Sequence, residues 1–294
     1  MTRRLVHYFI TWILLTIYGI QVCPFLESLS IIGVAAPILI ALSLQFFIRS
    51  LIDSRLISKS AYQKQSRLIF QYEFLLAVAS GIGLTIFNRF YYGFPVESGL
   101  KLIVGFLLVG FFTALDLSLE RELKINIYCA ETGKRIEPDE HFFSQPKKLI
   151  LFTSISLILT AGVVFLVINK DLDWLKTVGD TVSIETAQRS ILLELLFVVG
   201  AILGHIFNLI VSYSRNFQHF LEKETVVLKA ATNGDFSVTV PVSSNDEYGV
   251  MAKHTNLMVQ GLKRRTEELQ KTQDVTILSL ASLAETRDNE TGNH

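Results

Sequence analysis

Glu290 and His294, in the run LAETRDNETGNH, stand four residues apart. On a helix that spacing puts both side chains on one face, one turn apart, which is how a metal site draws two ligands from a single element. A second set of reactive groups lies in apolar surroundings. Glu73, Glu194 and His205 fall within long apolar runs, where an ionisable side chain is costly and, by default, faces a bundle interior and marks a ligand, ion or proton site. His205 also belongs to a polar and small series, Glu194, Ala201, His205, Asn208 and Ser212, spaced to point at neighbouring helices. Two readings stay open for it: interhelical packing and hydrogen bonding, or a haem or metal ligand paired with His7.

The elements that must carry these residues follow from composition. Of 294 residues 50 % are apolar and 18 % charged, with no net formal charge, a balance unusual for a soluble chain and uninformative about nucleic acid. Apolar runs of about 20 residues span a bilayer core. Six such runs stand at about 5–26, 29–48, 68–87, 99–118, 149–168 and 190–213. Lys and Arg mark cytoplasmic loops. Arg3 and Arg4 precede the first span, Arg49, Arg55, Lys59, Lys64 and Arg67 fill the second connection, and Arg121, Lys124, Lys134, Arg135, Lys147 and Lys148 fill the fourth. Both termini are therefore expected on the cytoplasmic side. The fourth connection, 119–148, reads as a solvated cytoplasmic loop, and the fifth as an interfacial helix anchored by Trp174 or a segment that contacts a ligand. The two cysteines, Cys23 and Cys129, are expected as free thiols.

After Tyr213 the pattern changes to heptads. Phe217, Leu221, Glu224, Leu228 and Ala231 form one series, and Tyr248, Met251, Thr255, Met258, Leu262, Arg265 and Leu269 a second. Between them NGDFSVTVPVSSND offers a turn at Gly234, then alternation of Val238, Val240 and Val242 as in a strand. A connector of about 13 extended residues reaches roughly 40 Å, enough to return along a first helix of about 24 Å and start a second parallel to it. Two short amphipathic helices cannot bury their stripes alone, so a second copy completes a parallel four-helix bundle.

Residues 213–266 resemble the HAMP domain, the linker of membrane receptors: NGDFSVTVPV matches its Gly-Asp connector, and NDEYGVMAKHTNLM its Asp-Glu-x-Gly entry and Asn-x-Met. The resemblance makes Gly234, Glu247, Gly249, Asn256 and Met258 signature positions. The usual Pro near the start of the first helix is absent, and Thr255 replaces a common aromatic. Beyond Leu269 the helix continues with Val275, Leu278 and Leu283 as a seam. Its last dozen residues are similar to the opening of the HD-GYP family, cyclic di-GMP phosphodiesterases whose first helix carries Glu-Thr-Arg-Asp-x-Glu-Thr-Gly-x-His. That resemblance implies that Glu290 and His294 are part of a metal site, with iron or manganese in a complete domain. The His-Asp pair, later histidines and Gly-Tyr-Pro loop of the family are not in this sequence, so no catalytic residue, resident cofactor or phosphodiesterase activity is expected of the chain as it stands.

The expected fold is thus an all-α membrane protein: a six-helix sensor domain at 1–212, a HAMP parallel helix pair at 213–266 that forms a four-helix bundle as a homodimer, and a signalling helix opening an HD-GYP domain at 267–294. The expected function is a receptor in the bacterial cytoplasmic membrane, with the lipid bilayer, a second copy and an unidentified small ligand as partners and no nucleic acid. The competing class is a small transporter or channel whose Glu73, Glu194 and His205 line a pathway. That class favours broken helices and an internal repeat, and the sequence has neither.

Overall fold

In hydrocarbon, backbone groups must bond one another within the segment, so long apolar runs fold as helices. The computed structural model describes residues 2–134, 136, 144–178 and 183–292, and among them every regular element is helical. In chain order these are α1 (Thr2–Val22), α2 (Pro24–Glu27), α3 (Ile31–Ile52), a π-helical turn (Asp53–Ile57), α4 (Tyr62–Tyr92), α5 (Val96–Thr132), α6 (Gln145–Val178), α7 (Ile184–Thr232) and α8 (Glu247–Gly292). Local chemistry sets several ends. The Ser30 side chain accepts the Gly33 N–H at 3.2 Å to start α3, and Gly93, at φ +71°, closes α4.

Five helices are long and apolar enough to cross a membrane: Ile31–Ile57, Tyr62–Tyr92, Ser98–Thr132, Gln145–Lys176 and Ile184–Thr232. The first expected span coincides with α1, which is not among these five. Two connections differ from expectation. The fourth was expected as loop from 119, yet α5 runs on to Thr132, because LERELKINIYCAET contains no Gly or Pro to stop it before Gly133. Trp174, expected in the fifth connection as the anchor of an interfacial helix or part of a ligand-contacting segment, lies in the last turns of α6.

The chain forms two units, Met1–Ile127 with His141–Gln218, and Tyr128–Glu140 with His219–His294. In the first, pairwise contacts fix helix directions. Arg3 meets Asp116 while Tyr18 bonds the Lys101 carbonyl at 3.0 Å and Cys23 bonds Ser98 at 2.6 Å, so α1 and α5 are antiparallel. Arg49 meets Glu73 and Gln45 meets Ser80, so α3 and α4 are antiparallel too. Helices α5 and α7 run parallel, since Asp116 pairs with Ser212 and the Leu119 carbonyl with Asn216. Helix α5 is the axle of the unit: 83 % of its most apolar stretch is buried, against 17–28 % in the other four. Phe106, Phe111 and Phe112 fill the core around it, while Phe47, Leu75, Ile158, Phe165, Leu196 and Phe207 face outward. An apolar exterior around buried polar groups suits lipid as the surrounding solvent.

Glycines let other helices approach α5. A Cβ on Gly110 would lie 2.4 Å from the Ala77 Cβ, whereas one on Gly162 of α6 would meet nothing within 4 Å. Gly110→Leu is expected to cost about 1–3 kcal/mol through overpacking, and Gly162→Ala to gain up to about 1 kcal/mol through helix propensity. Unfolding titrations in mild detergent measure both. Equal effects of the two changes would mean that α4 and α5 are not in close contact.

In the second unit, α7 ends in a left-handed turn at Gly234, φ +82°. The Gly234 N–H donates to the Ala231 carbonyl at 3.1 Å and the Asp235 N–H to Ala230 at 3.0 Å, the reciprocal C-cap pattern. The Ser237 hydroxyl and N–H then bond the Asp235 carboxylate and hold its pKa below the usual carboxylate range. The connector forms no strand, although the alternation has its effect. Val240 and Val242 are buried with Val227, Ala252 and Val259, and Val238 packs against that core. Phe220 stacks on Tyr248 at 4.7 Å and Glu224 reaches Thr255, so α8 runs parallel to the end of α7.

Candidate functional site

The first two turns of α1 carry Arg3, Arg4, His7 and Tyr8 on adjoining faces, and each finds a polar counterpart inside the helical unit. Arg3 makes a forked contact to Asp116 of α5, Nε to Oδ2 at 2.9 Å and a terminal N–H to Oδ1 at 2.8 Å, and also donates to Ser212 of α7 at 2.5 Å. His7 Nε2 lies 2.6 Å from Asp116 Oδ2, and the Ser212 hydroxyl donates to Oδ1. Asp116 is only 1 % exposed. Its two oxygens thus gather groups from α1 and α7, and an α5 acid with fork geometry is well matched to a guanidinium. One turn further on, Asn216 of α7 donates to the Leu119 carbonyl at 3.1 Å.

On the adjoining face, the Tyr8 hydroxyl donates to Glu73 Oε1 at 2.5 Å and Arg49 Nε to Glu73 Oε2 at 2.9 Å. Arg49 and Glu73 are both almost fully buried. The π-turn brings Asp53 to 3.8 Å from Arg49 and 3.9 Å from Arg4, whose guanidinium covers the Phe46 ring at 4.6 Å. A single π-turn in a helix commonly accompanies a functional position. A cavity of about 10 Å³, room for at most one water, is lined by Tyr8, Gln45, Glu73 and Thr113. Chemically this belt is a set of compensated charges. It holds the ends of α1, α3, α4, α5 and α7 together.

The three intramembrane residues marked by sequence do not converge. Glu73 belongs to the belt. Glu194 is paired with Lys170 of α6 at 3.1 and 3.2 Å, with Asp171 3.7 Å from the same ammonium. Eleven residues separate Glu194 from His205 on α7, roughly 16 Å along a helix. The His205 ring stacks on Phe112 at 5.5 Å, and its Nε2 makes no hydrogen bond. His7, considered beside it as a ligand, is bonded to Asp116 instead. Arg49, Asp116, Tyr8 and Lys170 were missed as site residues. Asp116 could have been found as the one acid within GFFTALDLS.

In the second unit Asn256 clamps the connector: its Oδ1 accepts the Val240 N–H and its Nδ2 donates to the Val240 carbonyl, both at 2.8 Å. A side-chain amide matches a peptide group donor for acceptor, so this pair satisfies buried backbone that has no strand partner. Asp246, the Asp of the Asp-Glu-x-Gly entry, caps α8 by accepting the Tyr248 N–H at 3.0 Å and the Ser244 hydroxyl at 2.7 Å. Glu247 is the first residue of α8 and Gly249 is buried in its first turn. Met258 is 49 % exposed, together with Phe217, Leu221, Leu228, Met251 and Leu262. The wide apolar face thus does two things: Phe220, Val227, Ala252 and Val259 pack within the chain, while the heptad series lies largely outside. Of the expected metal pair, Glu290 lies in the last turns of α8 and His294 lies outside the described residues. Among the described residues no three His, Cys, Asp or Glu side chains gather as a metal set.

The family model MASE10 matches residues 7–197. The chain is 30 % identical over 287 residues to a protein of Vibrio cholerae serotype O1 named cyclic di-GMP phosphodiesterase, an alignment that takes in 98 % of this chain and 57 % of that relative. The chain therefore spans little more than half the length of the curated relative it matches. No solved structure matches it.

Proposed function

The chain belongs to the MASE10 family of membrane-associated sensory domains, and on that premise we propose that it is the sensing and relaying portion of a membrane receptor for cyclic di-GMP signalling. Residues 1–212 form a six-span sensor in the bacterial cytoplasmic membrane with both termini in the cytoplasm, α1 joining the five long apolar helices as the first span; residues 213–266 form a HAMP domain; residues 267–294 lead to an HD-GYP phosphodiesterase. For α1 the supporting facts are its antiparallel packing along α5 and its outward Val6, Phe9, Ile10 and Ile13. Arg3 and Arg4 at its start are both compensated by acids. A small ligand or a change in the lipid is the input. The output needs the divalent metal that the HD-GYP resemblance implies, iron or manganese, with Glu290 and His294 among its ligands.

One observation carries the reading: α7 runs without a break from Glu194, through Ser212 in the polar belt, to the helix that packs parallel to α8. A displacement of the last membrane helix is therefore also a displacement in the relay. The heptad residues left outside the chain's own core ask for a second copy, whose matching stripe completes four helices. The transport alternative has less to stand on, since Glu73 and Glu194 are each neutralised in separate places.

Oxidative cross-linking in native membranes tests this. With Cys23 and Cys129 replaced by serine, Met258→Cys is expected to give a disulfide-linked dimer, and Lys253→Cys, on another side of α8, at least tenfold less. In the reading frame extended to the relative's length, Gly234→Val and Glu247→Ala are expected to lock cyclic di-GMP hydrolysis in one state. A Met258→Cys chain that stays monomeric would remove the paired relay from the account.

A further inference from the structure

Helix α7 is the obvious route from the spans to the connector, but the second unit is not built from α7 and α8 alone. It also contains Tyr128–Glu140, which begins in the last turns of α5 and continues past the helix end. Helix α5 is one unbroken run of 37 residues from Val96 to Thr132. It stops at Gly133, whose φ of +67° is the left-handed conformation that ends a helix and turns the chain. Three residues later the Ile136 N–H donates to the Val242 carbonyl at 2.7 Å, and Ile136 is only 6 % exposed. Cys129, one turn before the end of α5, is fully buried, and Lys134 lies over the Tyr128 ring at 5.2 Å.

The acceptor matters. Val242 is one of the two buried valines of the connector, and the other, Val240, is gripped on both backbone groups by Asn256 of α8. The connector is therefore bonded from two sides: by α8 at Val240 and, two residues on, by the segment after α5 at Val242. A buried apolar side chain with a short backbone bond beside it is a docked contact, since a connector carbonyl in an apolar setting needs a donor and Ile136 supplies one.

We propose that Ile136, three residues beyond the Gly133 turn that ends α5, is a second arm of the relay: it docks on the connector and passes displacement of α5 to it directly, in parallel with the path through α7. The proposal rests on reading residues 213–266 as a relay and adds an input to it. Helix α5 is the better placed of the two to report on the spans, because it is buried along its length and carries Asp116, the acid on which Arg3, His7 and Ser212 meet. A rotation of α5 is then felt at Val242 through the short segment that ends at Ile136 rather than through the whole length of α7 and the Gly234 turn. Two parallel helices tied together at Asp116 and Leu119 thus enter the relay at two places, one as its first helix and one as a clasp on its connector.

Hydrogen exchange on the full chain in lipid nanodiscs tests the arm. Ile136→Pro removes the donor and keeps an apolar side chain; Ile136→Ala keeps the donor and removes the side chain. Both are expected to raise amide exchange at residues 238–243 about tenfold or more, with the unfolding midpoint of the spans unchanged. Asp116→Asn is expected to change exchange at the connector in the Ile136 chain and to change it at least threefold less in the Ile136→Pro chain. Unchanged exchange at 238–243 in both Ile136 variants would overturn the docking, and an Asp116→Asn effect of equal size in both backgrounds would overturn the transmission. Neither result depends on dimerisation or on phosphodiesterase output, so either can fail while the receptor reading stands.

Discussion

Glu73→Ala is expected to destabilise the helical unit by about 3–5 kcal/mol, the cost of removing one member of a buried ion pair. The Arg49 guanidinium is 2 % exposed and its Nε donates to the Glu73 carboxylate at 2.9 Å, while the Tyr8 hydroxyl holds the other oxygen. Once the acid is gone, the nearest negative charge is Asp53, at 3.8 Å and 40 % exposed on its side chain, which is too wet and too distant to compensate fully. The double change Glu73→Leu with Arg49→Met removes both charges and restores apolar volume, so it is expected to recover most of the loss, as replacing a whole buried pair often does. Equilibrium unfolding in mild detergent gives both values. A single-site cost below about 1 kcal/mol, or a double variant as unstable as the single, would show that the pair is not shielded from water as its geometry implies.

How much of this was legible beforehand depends on whether a residue answers to local or to distant geometry. Gly234 was found because a helix end followed by a turn back needs a left-handed residue, and its φ of +82° is a property of the backbone alone. Asn256 was singled out by the resemblance to HAMP, and in this chain its amide meets both backbone groups of Val240. Glu73 and Glu194 stood out as acids in apolar runs, but their partners did not. Arg49 and Lys170 sit just past the ends of their apolar runs, where hydropathy assigns any cation to a loop. Which acid a cation meets is decided by helix neighbours that periodicity does not reveal. Asp116 was hidden for a related reason: apolar and small neighbours on both sides of one acid leave a span's average hydropathy high. The heptad stripes mark apolar faces, yet the residues packed in the core of the second unit are Phe220 and Val227, which lie off the first series, while Leu221 is 41 % exposed. A stripe broad enough for two contacts does not say which of its edges packs within the chain.

The belt residues suggest why a sensor of this kind would place charges at the ends of its spans. Apolar helix contacts in lipid are weakly directional, since lipid tails are as apolar as the side chains they replace. A charged contact is directional and has discrete alternatives. Helices joined through Asp116 can therefore exchange partners in steps, which suits a two-state relay better than continuous sliding would.

Asp116→Ala is expected to have the second largest effect and the more specific one. It deprives Arg3 of two charge-assisted hydrogen bonds and Ser212 and His7 of one each. Such bonds contribute about 1.5–3 kcal/mol apiece, but Arg3 is 24 % exposed on its side chain and can turn to water. The net loss is therefore expected near about 3 kcal/mol, below that of Glu73→Ala. Its distribution is the distinguishing mark. The first two turns of α1 and the α7 segment from Ser212 to Asn216 should gain hydrogen exchange by about tenfold or more, because both lose their hold on α5, while the Arg49–Glu73 side of the belt keeps its protection. A double-mutant cycle with Arg3→Ala should return a coupling of about 1–3 kcal/mol, as expected for side chains in one network. Coupling near zero, or exchange that rises evenly across all helices, would mean that Asp116 supports the bundle in general and does not tie α1 to the helix that leaves the membrane.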